Sequence, residues 1–161
     1  MAAAAETEFR IAGESDLNIL TDMRLAFLSE LRFGCRTSTE NELRTAAEKY
    51  FALHIEDKTY IPFLGSLSGK AVCCAGILLY ELPPATWSLK RTQGHILNFY
   101  VVPEKRIEGI GTALMEYIIS YSADQKISRL FLNATREGER VYRKCGFVEC
   151  DETALILDLV K

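Results

Sequence analysis

The stretch from Gly94 to Tyr121 constrains the fold more than any other part of the chain. It runs GHILNFYVV, then PEKRIE, then GIGTALMEYIISY. The first piece is a nearly continuous apolar run interrupted by Asn98, rich in β-branched and aromatic residues, and predicts a strand covered on both faces. In the last piece Ile110, Leu114, Tyr117, Ile118 and Tyr121 fall at offsets of four, seven, eight and eleven, which is one face of a helix. Between them lies a loop of six residues, Pro103 to Glu108, closed by Gly109-Ile110-Gly111.

A strand that passes through glycines into a helix makes an anion site. The first N–H groups of a helix have no partner inside it, and they carry the positive end of the helix dipole. Glycine removes the Cβ that would hold a phosphate off the backbone. Residues 106 to 112 are therefore expected to cradle a phosphate or pyrophosphate. The plainer reading is a glycine pair that only makes the turn.

The common nucleotide motifs do not fit. Leu114 stands where a dinucleotide fingerprint needs Gly or Ala, and the preceding loop is longer than that fingerprint's tight turn. A P-loop needs Gly-Lys-Ser/Thr after four spacers, which is absent.

Arg106-Ile107-Glu108-Gly109-Ile110-Gly111 instead resembles the Q/R-x-x-G-x-G/A signature of the GNAT superfamily of acyl-CoA-dependent N-acyltransferases. Downstream, Leu130-Phe131-Leu132-Asn133-Ala134-Thr135 and then Val141-Tyr142-Arg143-Lys144-Cys145-Gly146-Phe147 resemble that family's strand, helix and Tyr-x-x-x-Gly-Phe ending. Two motifs in the right order are far more specific than either alone. The likeness is close from about residue 93 to 149 and only architectural before that.

The rest of the chain agrees with such a domain. Its 161 residues suit one domain, with residues 1–8 a frayed, alanine-rich end and residues 9–161 the folded unit. A net charge of −3 without a basic tract argues against nucleic acid as the main partner. Five cysteines without framework spacing fit a reducing compartment, and no Cys/His cluster has zinc-site spacing, so no metal is expected. No signal peptide or membrane span is visible, and a cytoplasmic protein is expected. A homodimer stands as an open expectation.

Along the chain, Phe9 to Ile11 suits a first strand. Helices are expected from Glu14-Ser15-Asp16 to about Leu31 and from Ser38 or Thr39 onward, with Phe33-Gly34-Cys35 as the break. Glu42 is placed for a capping box with Thr39. Tyr60 to Leu64 reads as a strand that Pro62 makes irregular or an edge. A hairpin turn follows at Ser66 to Lys70, a strand at Ala71 to Tyr80, and a loop at Ala85 to Thr92. Arg129 to Asn133 is a further strand, Thr135 caps a short helix ended by Gly146, and Thr153 to Val160 closes the sheet. The fold class is α/β (α+β): a mixed, mostly antiparallel sheet of about six or seven strands with helices on both faces, which the resemblance also implies.

The resemblance implies acetyl-CoA as cofactor, CoA as product, and a small-molecule or peptide amine as acceptor. Transfer from a thioester to an amine needs the amine deprotonated, the carbonyl polarised, the oxyanion stabilised and the thiolate protonated or screened. Tyr142 matches the tyrosine that serves as general acid in many relatives; otherwise it is a core tyrosine. Asn133 is placed to bond the pantetheine arm or a water, or simply to cap a strand end. Phe99, Tyr100 and Val101 act through their backbones, since an extended pantetheine can dock on a free strand edge. Arg106, Ile107, Glu108, Gly109, Ile110, Gly111 and Thr112 form the pyrophosphate loop. His95 falls where histone-acetylating relatives carry a glutamate base and titrates in the right range, or is a plain strand-start histidine. Asn98 and Glu81 are further polar candidates for the acceptor site, which the first two helices should shape. His54 is expected to have no chemical role. Glu108 departs from the family pattern by placing a negative charge beside the phosphates, with Lys105 and Arg106 able to offset it. Two other classes stay open: a non-catalytic acyl-CoA-binding module and an interaction domain that keeps only the fold.

Overall fold

The structure is a computed structural model that describes residues 2–31, 38–86, 89, 91–151 and 155–159. Five strands, β1 (Glu8–Ile11), β2 (Tyr60–Leu67), β3 (Lys70–Leu82), β4 (Arg91–Val101) and β5 (Arg129–Phe131), lie side by side in sequence order. The first four are antiparallel, while β5 joins β4 in parallel. The helices are α1 (Ala2–Glu6), α2 (Leu17–Glu30), α3 (Glu40–Glu56), α4 (Ile110–Asp124) and α5 (Glu139–Lys144).

Local chemistry explains the boundaries. The Thr39 hydroxyl accepts the Glu42 N–H at 3.3 Å and the Glu42 carboxylate accepts the Thr39 N–H at 2.8 Å, the reciprocal box that starts α3. Ser68 and Gly69 take φ of 51° and 75°, the two left-handed residues that a tight β2–β3 hairpin requires. Gly146, at φ 92°, ends α5, and the Phe147 N–H closes onto the Tyr142 carbonyl at 3.1 Å.

The sheet is buried on both faces, which is why β3 and β4 read as apolar runs. On one face Phe63, Ile77 and Ile96 pack with Leu114, Met115 and Ile118 of α4 and Tyr142 of α5. On the other, Tyr60, Leu64, Cys74 and Tyr100 pack with Leu20 and Met23 of α2 and Phe51 of α3. Gly76 is required here, since a Cβ on it would fall 2.0 Å from the Tyr60 ring.

Four expectations need correction. The sheet has five strands rather than six or seven among the described residues. The expected closing strand at 153–160 is not formed at 155–159, and its other positions, like the Phe33-Gly34-Cys35 break, lie outside the described residues. The first residues are not frayed: α1 packs Ala3 and Ala4 on the α4 face of the core, and Thr7 Oγ1 donates to the Ala3 carbonyl at 2.6 Å. Pro62 lies inside the sheet, between β1 and β3. Its carbonyl accepts the Ala12 N–H just past the last β1 pair, so its ring nitrogen faces that same side and the β2–β3 ladder loses no donor.

Candidate active site

The central feature is where β4 leaves β5. The two strands pair only at Gln93–Arg129, Gly94–Leu130 and His95–Phe131. Beyond His95 the β5-facing backbone of β4 has no strand partner among the described residues. Opposite this stretch the β3–β4 register shifts between Cys74 and Gly76, and Asn98 takes φ 55°. Asparagine is one of the few residues that tolerates that conformation, and the bulge bends β4 away from β5. The result is a groove of about 1320 Å³. Its walls come from residues 95–101 of β4, the glycine loop, the segment from Leu132 to Tyr142, and Arg24, Phe27 and Glu30 of α2.

The loop into α4 has the predicted form. Gly109 sits at φ 87° as the residue before the helix, and the Ala113 N–H bonds its carbonyl at 3.0 Å. The N–H groups of Ile110, Gly111 and Thr112 therefore have no acceptor within the helix. A Cβ at Gly111 would meet nothing closer than 3.6 Å, so its lack of a side chain is not needed by the fold. Ile107 takes φ 69° with its side chain fully exposed, a strained setting for a β-branched residue on the rim of the groove. Glu108 lies 3.5 Å from Lys105, which offsets its charge.

Arg106 is committed elsewhere. Its Nε donates to the Val101 carbonyl at 2.9 Å and its Nη2 to Glu30 at 2.7 Å, while the guanidinium carbon lies 5.5 Å from the Tyr100 ring centroid. The Tyr100 hydroxyl donates to the other Glu30 oxygen at 2.8 Å. Burial pushes the Glu30 carboxyl up, but the bonds from Arg106 and Tyr100 outweigh it and hold it below the ordinary value. Arg106 thus ties α2 to the end of β4, with its Nε and Nη2 engaged away from the glycine loop.

Tyr142 lies 8 % exposed on α5, with its ring edge-on to Phe99 at 5.5 Å between centroids. Among the described residues no group hydrogen-bonds its phenol oxygen. Gly138 leaves room for it, since a Cβ there would fall 3.3 Å from that oxygen. Burial pushes the phenol up to about 12, so it holds its proton at neutral pH and acts as a donor. Asn133, exposed just past β5, lines the same groove.

His95 stands at the fork, in the last β4–β5 pair, with its ring 4.8 Å from that of Phe131. Its Nε2 is buried without a hydrogen-bond partner, and burial lowers its pKa, so the ring is neutral at pH 7. Asn98 is buried on the α2 side, its Nδ2 3.6 Å from Cys74 Sγ and its Oδ1 unpartnered. His54 bonds Thr59 at 2.7 Å, away from the groove. Glu81 is not among the groove residues.

Of the expected residues, Arg106, Ile107, Gly109, Gly111, Thr112, Phe99, Tyr100, Val101, Asn133, Tyr142 and His95 line this one groove; Glu108 and Ile110 do not, and the Ile110 side chain is buried in the α4 core. The roles of Arg24 and Glu30 were not visible in sequence; only their helix was assigned to the acceptor side. Among the described residues no group of three or more His, Cys, Asp or Glu is placed to hold a metal ion, and no helix is long and apolar enough to cross a membrane.

Residues 85–155 match the family model described as acetyltransferase (GNAT) domain. A comparison with curated protein sequences finds no match. Among solved structures, the chain is similar to a GCN5-related N-acetyltransferase from Ralstonia eutropha JMP134, with 27% identity over 94% of this chain and 98% of that one and a TM-score of 0.77. A predicted acetyltransferase from Clostridium acetobutylicum, solved with acetyl-CoA, is similar with 24% identity, 95% and 96% coverage and a TM-score of 0.82. A ribosomal-protein-alanine N-acetyltransferase from Brucella melitensis shares the fold with 16% identity, 96% and 99% coverage and a TM-score of 0.71. The domain match over residues 85–155 and the likeness along nearly the whole chain give this protein the fold of the GCN5-related N-acetyltransferases, the GNAT superfamily to which it is similar.

Proposed function

We propose that the protein transfers the acetyl group of acetyl-CoA to a primary amine by direct attack within a ternary complex. The observation that carries this reading is the convergence, on one groove, of three features: the free β4 edge past His95, the unpaired N–H groups of α4 and the Tyr142 phenol. The α4 terminus would take the pyrophosphate. The β4 edge from Phe99 to Val101 would take the pantetheine as an added strand. The amine nitrogen bonds the acetyl carbon, the carbon–sulfur bond breaks, and CoA leaves as the thiol.

Tyr142 would stabilise the leaving sulfur. A thiol has an ordinary pKa of about 8.5. A phenol near 12 does not surrender its proton fully to such a thiolate. It donates a hydrogen bond as charge develops, and the proton lost by the attacking amine balances the thiol. His95, neutral and at the fork, is the candidate to receive that amine proton, directly or through water.

The test is thiol release from acetyl-CoA across a panel of amines, polyamines, amino acids and peptide N-termini, with product mass as the check. Acetylated amine supports the reading. Binding of acetyl-CoA without acetylation of any acceptor favours the non-catalytic binding module.

A further inference from the structure

The α2 wall of the groove holds a cation that has no counterion among the described residues. Arg24 lies partly buried among the groove residues. The two carboxylates of its own helix are engaged elsewhere: Asp22 pairs with Arg44 at 2.8 Å, and Glu30 with Arg106 at 2.7 Å. Among the described residues no carboxylate pairs with Arg24. The Phe27 ring centroid lies 5.8 Å from its guanidinium carbon. Burial depresses its pKa, and the groups that oppose this are the neutral side chains of Tyr60, Cys74 and Tyr50. A desolvated guanidinium without a carboxylate is an unfavourable arrangement for a fold to keep for stability alone.

The same side of β4 presents two further unsatisfied groups. Asn98 is 6 % exposed with an unpartnered Oδ1, and its Nδ2 touches Cys74, one of the side chains near Arg24. His95 adds an unpartnered, buried Nε2 at the fork. By strand alternation His95 lies opposite Gly94 and Ile96, which face the α4 core, and so on the α2 side with Leu97. The groove therefore has a cationic pole at Arg24, and hydrogen-bonding groups for an amine at Asn98 and His95.

We infer that the acceptor is a small amine that also bears an anionic group, a carboxylate or a phosphate, seated on Arg24 with its nitrogen toward Asn98 and His95. The planar fork of arginine matches either oxyanion through two parallel hydrogen bonds. This rests on the proposed acetyl transfer for the meaning of "acceptor", but the anion site itself can be measured without turnover.

The experiment is calorimetric titration of the full chain saturated with CoA. The probes are glycine, β-alanine, γ-aminobutyrate and phosphoethanolamine, each against the amine lacking the acid group: methylamine, ethylamine, propylamine and ethanolamine. At least one acidic member should bind roughly 10- to 100-fold tighter than its neutral partner, the range of a hydrogen bond to a charged group. Which member does so separates carboxylate from phosphate. Arg24→Gln should erase the difference, and Arg24→Lys, which keeps the charge but not the fork, should keep only part of it. The melting temperature of Arg24→Gln without ligand should not fall, because no ion pair is lost. No preference for any acidic member, or a preference that survives Arg24→Gln, overturns the inference. Tight binding of an acidic amine that is never acetylated upholds the anion site and counts against the proposed transfer.

Discussion

Arg106 Nη2 lies 2.7 Å from Glu30 Oε2, across a separation of 76 residues, and the same guanidinium holds the Val101 carbonyl. One side chain thus fixes the end of β4, the start of the glycine loop and the last turn of α2. Both partners are about a third exposed (37% and 36%), so the pair itself should contribute only about 0–1 kcal/mol. Its effect on cofactor binding should be larger, because it sets the strand edge. Arg106→Ala should lower the melting temperature by a few degrees at most, yet weaken acetyl-CoA binding by about tenfold, read by calorimetry. Unchanged affinity would mean that β4 keeps its place without this tether.

Gly111 separates the demands of the fold from those of the ligand. A Cβ there has room, and a carboxylate in the first turn of α4 favours the helix dipole. Gly111→Glu should therefore leave the ligand-free melting temperature unchanged or slightly higher. It should also abolish the acetyl-CoA-induced stabilisation, about 2.7 kcal/mol at 100 times the dissociation constant. A variant still stabilised by acetyl-CoA would show that no phosphate approaches this turn.

Glu108 lies 3.5 Å from Lys105, both near one-third exposed. Glu108→Lys removes the negative charge and frees its partner, so CoA should bind tighter by about 2- to 10-fold at low salt, with the gain fading as salt screens it. An affinity that does not respond at any ionic strength would place both side chains out of reach of the phosphates.

The legible parts of this site were local. Gly109, the α4 face and Tyr142-x-x-x-Gly146-Phe147 are each set by a few consecutive residues, and the structure places them where the sequence suggested. Asn98 stood out only as a polar residue in an apolar run. Its left-handed backbone and the resulting fork depend on how β3 pairs with it, which no local pattern reveals. Arg106 reads as a phosphate ligand from its motif, but a carboxylate 76 residues away takes its guanidinium. Arg24 has no local signature, since an arginine on an amphipathic helix is ordinary until the lack of a counterion among the described residues is seen.

His95 gives a pH signature. Burial lowers its folded pKa below the unfolded value of about 6.5, so the unfolded chain binds the extra proton first as pH falls. Stability should thus be unaffected by His95 above pH ~7 and decline as pH drops through about 6.5. His95→Gln should flatten that part of the melting-temperature profile. If His95 also accepts the amine proton, the acid limb of kcat/KM should lie below about 6.5 and disappear in the same variant. A wild-type-like limb in His95→Gln would assign the proton to water.

The central claim is that the groove carries out acetyl transfer with Tyr142 at the departing sulfur, and the most direct measurement compares wild type with Tyr142→Phe. The substitution keeps the ring that packs on Phe99 and removes a hydroxyl that bonds no described residue, so folding should be preserved. With an acceptor in hand, kcat should fall by about 10²–10⁴-fold while the acetyl-CoA dissociation constant changes little, the pattern of an interaction made mainly in the transition state. A Phe variant that turns over at the wild-type rate would contradict the account, leaving Tyr142 as packing.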